Sequence, residues 1–143
     1  MTATPPASAD DLNHALGLVR RVEMDPAGRA VLEFEAGPHM CHSGGVVQGG
    51  FISGWLDSAM AHAVIARSGL DTTPMSLELK ISFFAPTRPG RVTVEGWIET
   101  AGRSSCFTEG RLLDADGAVL AKASSTMRLI PRAKVEADAR AAG

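Results

Sequence analysis

The sequence of 143 residues has little cysteine, no excess of basic charge and no long apolar run. Its 14 basic and 16 acidic residues give a formal net charge of -2, and no basic cluster alternates with aromatic residues, which argues against a nucleic-acid or anionic membrane surface. Apolar stretches end well before the roughly 20 residues of a bilayer span, and residues 1–13 lack a signal-peptide pattern. The two cysteines, Cys41 and Cys106, are predicted to stay reduced. We therefore expect a cytoplasmic protein without nucleic-acid or membrane partners.

The composition is that of one globular domain. Hydrophobic residues make up 45% of the chain and charged residues 21%, and no internal repeat is present, so the chain can close a single core. This domain is predicted to span residues 14–131. Residues 1–13, rich in Ala, Pro, Ser and Asp, predict a mobile arm or a short capped helix. Residues 132–143 carry alternating charges and many alanines and predict a disordered tail.

The apolar periodicity gives the order of the elements. Residues 17–24 and 30–35 predict two strands that a turn at residues 25–28 joins into a hairpin. Residues 50–67 lack both proline and strand alternation and predict one long helix. Four further strands follow, and an Asp-Gly hairpin signal joins the last two. The order predicts an α+β domain in which one long helix covers one face of a mostly antiparallel sheet.

The predicted helix carries one charged residue, Asp57, between positions 49 and 66. A spacing of 100° per residue puts this carboxylate opposite a broad apolar face, on a strip of small residues that comprises Gly50, Ser53, Gly54 and Ala61. Such a carboxylate either faces water, as lone acidic residues commonly do, or is covered and serves as a general base or nucleophile. Helical geometry alone leaves both alternatives open.

A spaced motif leads into this helix. His42, Gly45, Gln48, Gly49 and Gly50 keep the spacing of Asn-x-x-Gly-x-x-His-Gly-Gly, and Asp57 follows seven residues after the second Gly of the pair. With Ser76-Leu77-Glu78 and Phe83-Phe84-Ala85-Pro86, the motif resembles the PaaI-type hotdog-fold acyl-CoA thioesterases of the thioesterase superfamily, over about residues 15–130. Two positions depart from the family pattern, since His42 replaces Asn and Gln48 replaces His. Both replacements can still hydrogen-bond a carbonyl oxygen or a water.

The resemblance implies a hotdog fold, with a long central helix wrapped by the sheet, and hydrolysis of an acyl-CoA thioester. The N–H of Gly49 would polarise the thioester carbonyl, and the free amides and dipole of a helix N-terminus independently favour an oxyanion there. Asp57 would act as general base or nucleophile, and Ser76 would orient the water. The other implied site residues are His42 and Gln48, which would hold the carbonyl or the water, and Gly50, Arg103 and Ser104, which would contact the substrate, including the phosphates of CoA.

The resemblance also implies an assembly, a homodimer or a homotetramer, whose active site forms between two protomers. No separate cofactor is expected, because CoA is part of the substrate. A second function stays open, in which the protein binds an acyl-CoA or another acyl ligand without catalysis. The replacements His42 and Gln48 motivate this alternative.

Four other chemical interpretations are not favoured. Asp57 and His62 lie roughly 140° apart on a helix, so we expect no acid–base dyad that converges on one substrate, and His62 is predicted to be a packed or interface residue. His39, Cys41 and His42 lack a fourth metal ligand at a standard spacing, and neighbours in an extended segment point apart, which also disfavours a Cys-His nucleophile. The glycine run lacks the Lys-Ser or Lys-Thr of a phosphate-binding loop.

Overall fold

The computed structural model describes residues 8–142 of the chain. The helices are α1 (Ala9–Leu16), α2 (Gly49–Ser68) and α3 (Arg132–Ala142). The long strands are β1 (Leu18–Asp25), β2 (Arg29–Ala36), β5 (Thr72–Phe83), β6 (Gly90–Ala101), β7 (Ser105–Leu113) and β8 (Val119–Pro131). Between β2 and α2 lie a single 3₁₀ turn (Pro38–Met40) and a two-residue hairpin of β3 (Cys41–His42) and β4 (Val46–Val47). None of the three helices combines the length and apolarity that a membrane crossing requires.

One antiparallel sheet of six strands carries the fold. Its strand order is β1-β2-β6-β7-β8-β5, and every neighbouring pair is antiparallel. The helix α2 lies across one face of this sheet, and its buried side chains form the centre of the core; they are Ile52, Trp55, Leu56, Ala59, Met60, Ala63 and Val64. This architecture confirms the predicted α+β class, the hairpin at residues 17–35 and the single long helix.

Close packing between α2 and the sheet fixes the position of the helix. The ring of Trp55 stacks on Phe34 of β2 with centroids 5.7 Å apart, and its Nε1–H donates to the Leu16 carbonyl at 2.8 Å. A Cβ atom on Gly96 of β6 would lie 2.7 Å from the Met60 nitrogen, so only glycine lets the two backbones approach this closely. Burial on this scale, at about 25 cal/mol per Å² of apolar surface, holds the helix against the sheet.

Both chain ends are helical, and only the C-terminal one differs from the prediction. Residues 132–142 form helix α3 rather than a disordered tail, because alanines and two ion pairs spaced four residues apart, Arg132–Glu136 and Lys134–Asp138, favour helix. At the other end, residues 9–16 take the second predicted alternative, a capped helix, in which Ser8 and Asp11 form a reciprocal capping box. The part of the predicted arm at residues 1–7 lies outside the described residues.

Both edge strands contain β-bulges that change which face their side chains point to. In β5, Ser76 opposes Met127 and Leu79 opposes Ser125, with the register shift between Ser76 and Glu78. Both partners are buried, so the extra residue puts Ser76 and Leu79 on the same, helix-facing side of the sheet. In β1, a shift between Arg21 and Glu23 likewise turns both Arg21 and Met24 toward the helix side, opposite buried Leu32 and Ala30.

Candidate active site

The carboxylate of Asp57 is held by a hydroxyl from the neighbouring edge strand. Ser76 Oγ donates to Asp57 Oδ1 at 2.5 Å, across 19 residues of sequence. Asp57 is half-buried, and no Lys, Arg or His within residues 8–142 forms an ion pair with it. The structure thus brings together two of the predicted catalytic residues and leaves Asp57 with a hydroxyl donor and no neutralising cation.

Asp57 opens on a cleft of about 690 Å³ along the outer side of α2. The helix α1 covers one side of this cleft with Leu12 and Leu16, and β1 contributes Arg21 and Met24. The other side is formed by the start of β5, with Thr73 and Pro74. Because most of the lining is apolar, an acyl group could replace water there.

The N-terminus of α2 presents one free amide. Gln48 is the N-cap, and its Oε1 accepts from the Gly50 N–H at 2.7 Å. The Phe51 N–H donates to the Gln48 carbonyl at 3.0 Å. The N–H of Gly49 has no acceptor among residues 8–142, which leaves it as the donor for a ligand carbonyl. The helix dipole strengthens this donor toward developing negative charge.

Gly49 lies in a second cleft of about 400 Å³, lined mainly by apolar residues of the β3–β4 hairpin and of the segment after β5. The ring of Phe83 packs so closely that a Cβ on Gly49 would lie 3.2 Å from its Cζ atom. Thr87 lines the same cleft, and its hydroxyl is buried without a hydrogen-bond partner among the described residues. A polar group of a ligand could satisfy this hydroxyl.

Asp57 and Gly49 of one protomer open on different clefts. They are eight residues apart on α2, which separates them by about 12 Å along the axis. Neither residue lines the cleft of the other. A single thioester carbonyl cannot contact both, because a hydrogen bond and an attack distance each require about 3 Å. Within one protomer the predicted catalytic pair is therefore incomplete.

Five other predicted site residues lie apart from Asp57 in one protomer. The amide of Gly50 already donates to Gln48, so the structure gives Gln48 a capping role and removes the Gly50 N–H as a substrate donor. His42 is exposed on β3, its Nδ1 donates to the Ser43 carbonyl at 2.9 Å, and it lines neither cleft. Arg103 and Ser104 form the exposed turn between β6 and β7, at the end of the sheet where β5 begins.

His62 is packed, as predicted, but it shares the Asp57 cleft. Its Nδ1–H donates to the Ser58 carbonyl at 2.7 Å, and its Nε2 accepts from Arg21 Nε at 3.1 Å. Burial lowers the pKa of His62, against the opposing effect of the Ser58 hydrogen bond, so the ring is neutral near pH 7. No hydrogen bond joins His62 to Asp57 among the described residues. The two side chains nevertheless line the same cleft, on opposite flanks of the helix stripe.

Sequence reasoning missed Arg21 as a cleft residue and missed the helix α1 as the cleft's cover. Strand alternation alone does not predict whether Arg20 or Arg21 faces the helix. The bulge in β1 determines which of the two does. Within the described part of the chain, no three His, Cys, Asp or Glu side chains gather as a metal site.

Comparisons with known proteins agree on one family. The family model described as the thioesterase superfamily matches residues 44–121. A protein of Saccharolobus solfataricus, named as a candidate esterase, is 33% identical over 111 residues, 77% of each chain.

Two solved structures are similar to this chain in both sequence and fold. A candidate thioesterase related to phenylacetic acid degradation from Ralstonia eutropha is 29% identical with a TM-score of 0.76, over 85% of this chain and 92% of that one. A variant of the phenylacetic acid degradation protein PaaI from Thermus thermophilus is 25% identical with a TM-score of 0.72, over 81% of this chain and 96% of that one.

Proposed function

The chain belongs to the thioesterase superfamily, as a PaaI-type hotdog protein, and from this premise we propose that it hydrolyses an acyl-CoA thioester to the free acid and CoA. The observation that carries the proposal is the hydrogen bond from Ser76 to Asp57, together with the apolar cleft that Asp57 lines. A carboxylate in that position has an oriented lone pair, no competing cation and room for an acyl group beside it.

The proposed chemistry divides between two groups. The Gly49 N–H donates to the thioester oxygen and stabilises the oxyanion that forms when the acyl carbon is attacked. Asp57 takes the proton of the attacking water as general base, or attacks the acyl carbon itself as nucleophile. Ser76 keeps Asp57 Oδ1 in place, so that Oδ2 faces the reacting atoms. In the general-base route the CoA thiolate then leaves and takes up the proton that Asp57 accepted. In the nucleophile route its departure leaves an anhydride between the acyl group and Asp57, which a water hydrolyses to the free acid and the regenerated carboxylate.

A second protomer would complete the site. The edge strand β5 exposes Leu77, Leu79 and Phe83, and it has no neighbouring strand on its outer side within the described residues. Such an edge is suited to pair with a copy of itself about a twofold axis. The resulting homodimer is the assembly we propose; two such dimers would form the tetramer that the family resemblance also allows.

The bulge in β5 specifies a register for this pairing. Ser76 and Phe83 both point to the helix side of the sheet, since their partners Met127 and Ala121 are buried. An antiparallel pair with Lys80 on the axis sets Ser76 opposite Phe83 of the partner subunit, because the extra residue at the bulge leaves both residues three positions from Lys80. Phe83 packs on Gly49, and Ser76 bonds Asp57, so this register brings Asp57 of one protomer to the free amide of the other.

The CoA portion would extend through the Gly49 cleft. Its apolar lining suits the pantetheine arm, and the buried hydroxyl of Thr87 could bond one of the arm's amides. Arg103 and Ser104 are proposed to contact the CoA phosphates from the β6–β7 turn, where the Arg103 side chain is exposed and forms no hydrogen bond within residues 8–142. His42 and Gln48 would hold the backbone of the segment that leads into α2, through their hydrogen bonds to Ser43 and Gly50, and would not contact the reacting carbon.

The test is release of free thiol from hexanoyl-CoA and longer acyl-CoA esters. Asp57→Asn should lower kcat by about 10² or more, the usual scale for a positioned base or nucleophile. Asp138→Asn is the matched control, because Asp138 lies on α3 and pairs only with Lys134. Tight binding without thiol release from any ester would instead favour the binding-only function. The capping role of Gln48 motivates this alternative, because Gln48 Oε1 is already bonded to the Gly50 N–H. An active Asp57→Asn enzyme would reject the proposed role of this carboxylate.

A further inference from the structure

The Asp57 cleft continues along α2 well beyond the carboxylate. Its helix residues recur at intervals of three and four, from Gly54 through Asp57, Ser58, Ala61 and His62 to Ile65. The cleft is apolar for most of this length, with Leu12, Leu16 and Met24 facing the helix. Farther along the cleft from Asp57, Arg21 and His62 form a hydrogen-bonded polar pair. An acyl group that starts at Asp57 would reach this pair.

The guanidinium of Arg21 has N–H groups that form no hydrogen bond within residues 8–142. Its Nε donates to His62, and its two terminal amino groups have no acceptor among residues 8–142. Other arginines of the sheet differ: Arg20, Arg29 and Arg91 each bond a glutamate. Arg21 faces the helix side of β1 and lines the cleft, whereas these carboxylates do not line it. A fixed, planar guanidinium beside apolar side chains favours a carboxylate ligand.

We propose that this cleft binds the acyl part of a dicarboxylic acid mono-CoA thioester, with the distal carboxylate on Arg21. The proposal rests on the proposed function, since it assigns the acyl end of the same substrate. Asp57 and His62 are about 7.5 Å apart along the helix axis and roughly 140° apart around it, so an extended six-carbon diacid, with roughly 6 Å between its carboxyl carbons, is the shortest that could approach both ends. The acyl group therefore has an apolar body of at least about four methylenes and a charged end.

His62 is the positioning residue in this arrangement. Its Nδ1–H is committed to the Ser58 carbonyl, so the neutral ring offers Nε2 as an acceptor to Arg21. This bond holds the guanidinium at the far end of the cleft and turns the terminal amino groups toward the ligand. The charged groups that line the cleft around His62 are Arg21 and Asp57. The helix α1 and the strand β5 contribute Asn13 and Thr73, which do not titrate.

The decisive measurement is binding of two thioethers of CoA that cannot be hydrolysed, S-(5-carboxypentyl)-CoA and S-hexyl-CoA, by calorimetry on the full chain. We expect the carboxylated ligand to bind at least about tenfold tighter, the lower range for hydrogen bonds to a charged group. In Arg21→Met, which keeps an unbranched apolar stem and removes the guanidinium, the two affinities should agree within about twofold. Arg20→Met is the control and should keep the preference, since Arg20 bonds Glu33 on the opposite face of the sheet.

Equal affinities in the unmodified protein, or a preference that survives Arg21→Met, would overturn the proposal. Because neither thioether requires turnover, this result is independent of whether Asp57 catalyses hydrolysis. His62 is tested by rescue: His62→Leu should reduce the preference, whereas His62→Gln, which restores an acceptor at similar reach, should retain it. Loss of the preference in both variants to the same extent would assign His62 a packing role only.

Discussion

At the scale of single residues, the candidate chemistry depends on how one carboxylate is oriented. A free aspartate side chain rotates about χ1 and χ2. It can act on a substrate only when both torsion angles are held in one orientation. Here Ser76 donates to one oxygen of Asp57, so the other oxygen has a defined direction. A serine hydroxyl does this without adding charge, which leaves the carboxylate able to accept a proton.

Ser76→Ala should therefore slow the reaction without weakening substrate binding. We expect kcat for hexanoyl-CoA to fall about tenfold, since a hydrogen bond to a charged group contributes about 1.5–3 kcal/mol and only part of it is specific to the transition state. KM should change little, because Ser76 contacts the carboxylate and not the acyl group. Steady-state kinetics measures both. Ser82→Ala, an exposed serine farther along the same strand, is the control, and equal kcat in the two variants would remove Ser76 from the mechanism.

At the scale of elements, the long helix and the hairpin could be predicted because their signals are local. Residues 50–67 contain no proline, and a turn sequence separates β1 from β2. The bulges at Val22 and Leu77 could not be predicted, because a one-residue slip depends on how an edge strand meets its neighbour. The bulge in β5 sets the register from Ser76 to Phe83, and the one in β1 turns Arg21 to the cleft. The sequence thus indicated Asp57 and Ser76 as candidate site residues, but not the residues that line the Asp57 cleft.

The N-terminus of α2 allows a selective test of the Gly49 amide. Gly49 is the first helical residue, where proline is tolerated, and Gln48 has φ -68° and ψ 138°, which suits a residue before proline. Gly49→Pro should lower kcat by about 10²–10³, the usual effect of removing one oxyanion donor. Gly49→Ala keeps the N–H and places a comparable Cβ against Phe83, so it should lose much less. Thermal melting measures the stability of both variants; equal kcat in the pair would exclude the amide as oxyanion donor.

At the scale of the whole molecule, the proposed dimer divides the site between two copies of the chain. The long helix is rigid, so Asp57 and the Gly49 amide cannot approach each other within a protomer. Pairing of the β5 edges would bring Asp57, in the middle of one α2, to the Gly49 amide at the N-terminus of the other. The same pairing covers an apolar edge that a monomer would expose, so stability and activity are expected to depend on the same surface.

This division predicts complementation between inactive variants. Asp57→Asn and Gly49→Pro proteins, each nearly inactive alone, are mixed in equal amounts, unfolded and refolded together. A mixed dimer has one site with both defects and one with an intact Asp57 opposite an intact Gly49 amide. Random pairing restores about a quarter of the unmodified activity, because half of the dimers are mixed and each has one of its two sites intact. Thiol release per protomer measures the recovery, with each variant refolded separately as the control. A site contained within one protomer would give a mixture no more active than its two components.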